Sequence, residues 1–255
     1  MRLIKTLPQV TSLSLNRCDF FGNTSLFEFS RSAGSAHLLS LNLAGCGQLT
    51  ESAFFSPNSE GVSLFPSLTS LNVRECSHIN GNGYFSRHFN CVAKAIESLA
   101  TCRPHGLINL SVAKCNQLPT SSLVAMVTHN GATLLSLDLS YYLALDNDML
   151  SYVGKMCRNL DEISLDGCFK ISSAGIVALK GCKNLKKISL SGCPGIDHSG
   201  LCEAIESLPW VQDLDLSDCR QINNHTLRSI ALQTKKNLKK LSLRGLRILR
   251  KMTNM

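Results

Sequence analysis

Apolar residues recur along the chain in one eight-position template: apolar, two residues, apolar, one residue, apolar, two residues, then usually cysteine. It fits Val10-Leu13-Leu15-Cys18, Leu38-Leu41-Leu43-Cys46, Leu68-Leu71-Val73-Cys76, Leu107-Leu110-Val112-Cys115 and Leu134-Leu137-Leu139-Tyr142. It fits again at Leu160-Ile163-Leu165-Cys168, Leu185-Ile188-Leu190-Cys193, Val211-Leu214-Leu216-Cys219 and Leu238-Leu241-Leu243-Leu246. Successive eighth positions lie 25 to 30 residues apart, except for one 39-residue interval between Cys76 and Cys115. The short Leu-x-Leu segment alternates with period two, as a strand does. Three residues past the eighth position comes another apolar residue, followed by Thr50, Asn80, Pro119, Asp146, Ser172, Asp197 or Asn223. Six of these seven can accept the unpaired N–H groups of a first helical turn, so a helix is predicted to start there. Leu123, Leu150, Ile176, Leu201 and Leu227, with Met126, Val153, Leu179, Ile205 and Ile230 after them, carry the helical spacing that buries one stripe. Each unit reads strand, turn, helix.

One such unit cannot cover its own apolar face, so neighbours must stack into a shared core. The pattern predicts an α/β fold: a right-handed solenoid of about nine repeats with a parallel concave sheet and outer helices. We expect one domain over 1–255, with 234–255 as a basic C-terminal cap.

The units L185KKISLSGCPGIDHSGL201 and L160DEISLDGCFKISSAGI176, with second cysteines at Cys157 and Cys182, resemble the cysteine-containing leucine-rich repeats. The resemblance spans about residues 7 to 246 and implies a ribonuclease-inhibitor-like horseshoe. Such repeats occur in F-box substrate receptors of SCF ubiquitin ligases, in F-box-less relatives such as antagonist-of-mitotic-exit-network proteins, and in ciliary regulatory-complex subunits. The resemblance therefore implies recognition of proteins. Repeats begin by Val10, which leaves no room for an upstream F-box and argues against direct docking to a ligase core. Two readings follow: an adaptor or receptor associated with an SCF ligase, or a structural subunit of a ciliary, axonemal or cytoskeletal assembly.

Composition supports a folded chain: 44% hydrophobic and 17% charged residues over 255 positions are too apolar for disorder. The longest unbroken apolar runs, Leu123 to Val127 and Tyr141 to Leu145, are five residues, far short of the roughly 20 that cross a bilayer. The start, MRLIKTLPQV, lacks the apolar stretch of a secretory signal, so we read the protein as intracellular: cytoplasmic, cytoskeletal or nuclear. The formal net charge is +8, but eight basic residues lie between Thr234 and Met255: Lys235, Lys236, Lys239, Lys240, Arg244, Arg247, Arg250 and Lys251. Setting them aside leaves 18 Lys plus Arg against 18 Asp plus Glu. This patch is either a polar cap that stops end-to-end stacking or a site for nucleic acid, anionic lipid or acidic protein tails such as those of tubulin. Sequence-specific nucleic-acid reading is disfavoured, because no aromatic residues interleave with the charges.

Of the twelve cysteines, Cys18, Cys46, Cys76, Cys115, Cys168, Cys193 and Cys219 share the eighth position and should stack in a column inside the turns. No pair has zinc-motif spacing, so they read as small buried hydrophobes with a weak S–H donor in a reducing compartment. Tyr142 fills a slot made for cysteine, so the fifth turn must widen or expel the ring. No phosphate loop, nucleophile elbow or histidine metal motif occurs, and no catalytic, metal or cofactor site is assigned. Asp197-His198-Ser199 contains triad residue types but sits at a helix start, where Asp197 has a capping role.

Residues flanking the strand leucines should face the concave side. There Asp138, Glu162, Asp166, Asp213 and Asp215 stand against Lys187 alone, a local charge of about -4 that would steer a basic partner. The competing reading is a solvated face. Trp210 is read as an edge-packing residue or a partner anchor. The 77–114 insertion reads as a loop-bearing contact segment, and the apolar Leu3, Ile4 and Leu7 as an end that a partner covers.

Overall fold

A computed structural model describes residues 9–49, 65–76, 106–116, 118–233 and 237–246. Contacts divide the chain into two compact units, Met1–Leu134 and Leu135–Met255. The expectations for Leu3, Ile4, Leu7, the helix starts Thr50 and Asn80, Cys91, Cys102 and most of the 77–114 insertion lie outside the described residues.

In the first unit, strands β1 (Ser12–Ser14), β2 (Ser40–Asn42), β3 (Ser70–Asn72) and β4 (Asn109–Ser111) pair in parallel, in chain order. The ladder keeps Leu13, Leu41, Leu71 and Leu110 in one row. Helix α1 (Asn23–Ser30) follows β1, a 3-10 turn spans Ala33–His37, and α2 (Thr120–Asn130) follows β4. The helix α1 was not signalled by the template, because Gly22 stands where other units have a capping side chain.

The second unit is more regular. Strands β5 (Ser136–Asp138), β6 (Glu162–Ser164), β7 (Lys187–Ser189), β8 (Asp213–Asp215) and β9 (Lys240–Ser242) again run parallel, with Leu137, Ile163, Ile188, Leu214 and Leu241 in register. Between them lie α3 (Asn147–Met156), α4 (Ser173–Val177) with the 3-10 turn Ala178–Gly181, α5 (His198–Ser207) and α6 (Asn224–Gln233). These starts follow the capping positions. Asp146, Asp197 and Asn223 accept the N–H groups of Met149, Gly200 and Thr226 at 2.9, 3.2 and 3.1 Å. Ser172 caps nothing with its side chain, being held by Asn147 of the preceding repeat at 2.9 Å through both backbone and hydroxyl.

The leucines at template positions 1, 4 and 6 are buried in most units, packing sheet against helix as the fold requires. Two features close each turn. In every described repeat the residue before the eighth position has a left-handed backbone: Arg17, Gly45, Glu75, Lys114, Tyr141, Gly167, Gly192, Asp218 and Gly245, with φ between 57° and 72°. Its N–H then reaches the next repeat, as Gly167 does to Ser191 O at 2.7 Å and Asp218 to Arg244 O at 2.8 Å. The glycines need no side-chain accommodation in this conformation. Next, Asn or Asp at the strand end accepts the N–H two residues on: Asn42 from Ala44, Asn72 from Arg74, Asp138 from Ser140 and Asp215 from Ser217, at 2.8 to 3.0 Å. Among the described residues no helix is long and apolar enough to cross a membrane. The architecture is a leucine-rich-repeat solenoid.

Candidate protein-binding surface

The eighth-position cysteines form a ladder. Each Sγ donates to the carbonyl of the leucine or valine just after the strand of the preceding repeat: Cys46 to Leu15, Cys76 to Leu43, Cys115 to Val73, Cys168 to Leu139, Cys193 to Leu165 and Cys219 to Leu190, at 3.0 to 3.3 Å. Cys18, in the first repeat, is half-buried. Burial pushes the thiols of Cys76, Cys168 and Cys193 up to about 12 and that of Cys219 to about 11, which keeps them neutral and unreactive. Cys157 and Cys182, at the helix ends, are shifted the same way by burial, to about 12 and about 11. Tyr142 is not expelled from its slot. Its ring is fully buried, the largest such side chain among the described residues.

The His198 imidazole bonds Thr226 Oγ1 at 3.1 Å, while the Ser199 hydroxyl turns to Asp197 Oδ2 at 3.3 Å. The serine and histidine do not face each other, so the three residue types make no nucleophile–base relay. Hydrogen bonding from Ser173, then from the Gly200 N–H and Ser199, holds the Asp197 carboxyl below its ordinary value, as suits a helix cap. No group of three His, Cys, Asp or Glu side chains among the described residues is arranged to hold a metal ion.

On the sheet face of the second unit, the five acidic residues do not act as one free cluster. Register places Glu162, Lys187, Asp213 and Lys240 in one row across β6 to β9. Charges therefore alternate, and Lys187 pairs with Glu162 at 3.3 Å and Lys240 with Asp213 at 3.2 Å. One position earlier in the repeat, Lys186 pairs with Asp161 at 3.0 Å. Asp138 and Asp215 are tied to their own turns, and Asp138 also accepts the Ser140 hydroxyl at 2.7 Å. Asp166 reaches the next repeat, accepting from the Ser189 hydroxyl at 2.5 Å and the Ser191 N–H at 3.0 Å. The -4 count falls to -3 once Lys240 joins the row, and much of the remainder serves turn geometry. Such exposed pairs each contribute about 0 to 1 kcal/mol. Of the C-terminal basic residues, Lys239, Lys240 and Arg244 are exposed, and Lys240 is the one bound to Asp213. Lys235, Lys236, Arg247, Arg250 and Lys251 lie outside the described residues.

Three exposed apolar side chains stand where these strands end: Tyr141 (41% exposed), Leu143 (43%) and Phe169 (58%). Leu143 and Phe169 occupy the same place, one past the eighth position, in neighbouring repeats, and a Cβ on Gly167 would lie 2.4 Å from the Tyr141 ring. Tyr141 thus lies over Gly167 in the next repeat. The sequence carried a signal for this patch: most other repeats have Asp19, Gly47, Asn116 or Arg220 at that place. Trp210 is half-buried, its indole N–H bonded to Cys182 O at 3.1 Å and its ring covered by Lys183 at 4.6 Å, which is an edge-packing arrangement.

No protein-family model matches the chain, and no curated protein matches it. Solved structures do. Rad7, from the Rad7–Elc1 complex of yeast, aligns with a TM-score of 0.53 and 16% identity over 99% of this chain and 75% of that one. The leucine-rich-repeat protein LegL7 of Legionella pneumophila aligns with a TM-score of 0.54 and 17% identity, over 91% of this chain and 72% of LegL7. An internalin of Listeria monocytogenes gives 0.55 and 15%, over 96% and 65%. At these identities the likeness shows the fold: this chain is built as leucine-rich-repeat proteins are.

Proposed function

We propose that this protein is a non-enzymatic scaffold that holds a protein partner on the sheet face of its second unit. The observation that carries the reading is the exposed Tyr141, Leu143 and Phe169 beside the ordered carboxylates of Asp138 and Asp166. An apolar anchor bordered by fixed polar groups is the composition of a protein interface, where aromatic residues supply most of the affinity and the polar rim supplies register. Asp166, already oriented by Ser189 and Ser191, meets a partner without further ordering.

Resemblance to cysteine-containing repeats, with the likeness to Rad7 in its complex with Elc1, supports a receptor or adaptor associated with a ubiquitin ligase. The basic C-terminal run supports the second reading, a subunit of a cytoskeletal or ciliary assembly. Copurification from native cells, comparing the wild type with Phe169→Asp and Leu143→Asp, tests both. We expect partner recovery to fall about tenfold in the variants while the melting temperature holds. Ligase adaptor and cullin among the lost proteins favour the first assembly, and tubulin-associated proteins the second. Equal recovery by wild type and variants overturns the surface assignment.

A further inference from the structure

Opposite in character to the sheet face is a groove of about 670 Å³ on the helix side of the second unit, between α3 and the pair formed by α4 and its 3-10 turn. Its floor is small because the backbones meet directly. A Cβ added to Gly154 would fall 2.3 Å from the Ala178 carbonyl oxygen, and one on Gly181 would fall 2.3 Å from that of Gly154. Ala174, Ala178 and Val177 complete an apolar base. Four long cationic side chains line it: Lys155 and Arg158 from the α3 side, Lys180 and Lys183 from the 3-10 turn side.

All four are exposed, and among the described residues none has an ion-pair partner. That sets them apart from Lys186, Lys187 and Lys240 on the sheet face, each of which is matched by a carboxylate. The groove lining contains no Asp or Glu, and the sequence has none between Asp166 and Asp197. Lys183 is fixed in place, since its ammonium rests on the Trp210 ring while the indole is anchored to Cys182 O. Four like charges around one cleft repel one another, and an anionic occupant relieves that repulsion.

We infer that this groove docks an acidic segment of a partner protein, whose carboxylates meet Lys155 and Arg158 on one wall and Lys180 and Lys183 on the other. Its size is far beyond a single phosphate and within the range that takes a peptide-sized ligand. The small floor lets a peptide backbone approach between the cations. Nucleic acid fits less well: no aromatic ring lines the groove to stack a base, and the Trp210 face is occupied by Lys183.

The test is fluorescence anisotropy with a labelled, end-capped peptide of alternating Glu-Glu-Ala units, against the full chain. We expect saturable binding that weakens with salt and falls about tenfold or more in Lys155→Glu/Lys180→Glu. The control Lys170→Glu, an exposed cation outside the groove, should bind within about twofold of wild type. If the charge reversals melt early, Lys155→Gln/Lys180→Gln replaces them, with a smaller loss in the same direction. Absence of saturable binding, equal affinity in the groove variants and the wild type, or duplex DNA competing better than the peptide at these lysines would each overturn the assignment. Phe169→Asp should leave peptide affinity unchanged, so this site and the sheet-face surface stand or fall separately.

Discussion

Raising the pH from 8 to 10 is expected to lower the stability of the second unit through its buried thiols. Cys157, Cys168 and Cys193 are pushed up to about 12, and Cys182 and Cys219 to about 11, from an ordinary 9.0, with burial as the main cause in each. An unfolded chain gives up these protons near pH 9, whereas the fold keeps them until pH 11 to 12. Across that window the unfolded state binds fewer protons. Stability is therefore whole below pH 9 and declines as pH rises towards the folded-state values. At pH 10 the unfolded thiol is one unit past its midpoint, so each buried cysteine costs a little over 1 kcal/mol. Five together cost on the order of 7 kcal/mol, comparable with the whole 5 to 15 kcal/mol of a typical domain.

Urea unfolding followed by circular dichroism at pH 8, 9, 9.5 and 10, under a reducing agent, measures this directly. Lysine and tyrosine also begin to titrate in this range, so Cys193→Ala serves as the internal reference. It should lose some stability at pH 8, and its total decline between pH 8 and 10 should be smaller than that of wild type by a little over 1 kcal/mol. The same stability at pH 8 and 10, or parallel declines in wild type and Cys193→Ala, would refute the buried, protonated ladder.

Three other perturbations probe single positions. Cys193→Asp forces a carboxyl into the place where Cys193 Sγ meets Leu165 O at 3.1 Å, and the expected loss is several kcal/mol, read as a lowered melting temperature. Tyr142→Cys restores the residue type most repeats carry, yet it empties the slot of the largest buried side chain, so we expect about 3 kcal/mol of destabilisation by urea titration rather than a gain. Asn130→Ala in the first unit strips the buried Leu107 N–H of its 2.7 Å acceptor, and should cost about 2 kcal/mol with faster hydrogen exchange at Leu107.

What the sequence disclosed follows from how a solenoid stores information. Template positions that repeat every 25 to 30 residues fixed the strands, the starts of α3, α5 and α6, and the row of buried cysteines, because each depends on a residue's own place in its unit. The left-handed position is less legible, although Gly45, Gly167, Gly192 and Gly245 all stand one residue before the eighth. Arg17, Glu75, Lys114, Tyr141 and Asp218 broke the glycine pattern while adopting the same backbone. Charge is less legible along the chain for a different reason. Counting Asp and Glu along the chain treats them as independent, whereas their partners lie one repeat away: Glu162 with Lys187, Asp213 with Lys240, Asp166 with Ser189 and Ser191. Reading the same letters down columns exposes the alternation.

The helix side teaches the complementary lesson, because its groove arises from a length. The interval from Cys168 to Cys193 is 25 residues, the shortest in the chain, and the helix within it, α4, has five residues where α3 and α5 have ten. A short helix between two long ones leaves space on both flanks, and the space is there: about 670 Å³ towards α3 and about 450 Å³ towards α5. The two clefts differ in charge, since Asp197 and Glu203 line the α5 side and four cations line the other. Shortening alone would make two equivalent gaps, so their opposite charges have to come from the residues placed around them. Filling the groove with Ser151→Phe therefore separates the causes: if the groove is what binds, peptide affinity falls with all four cations still in place, and if charge alone binds, it does not.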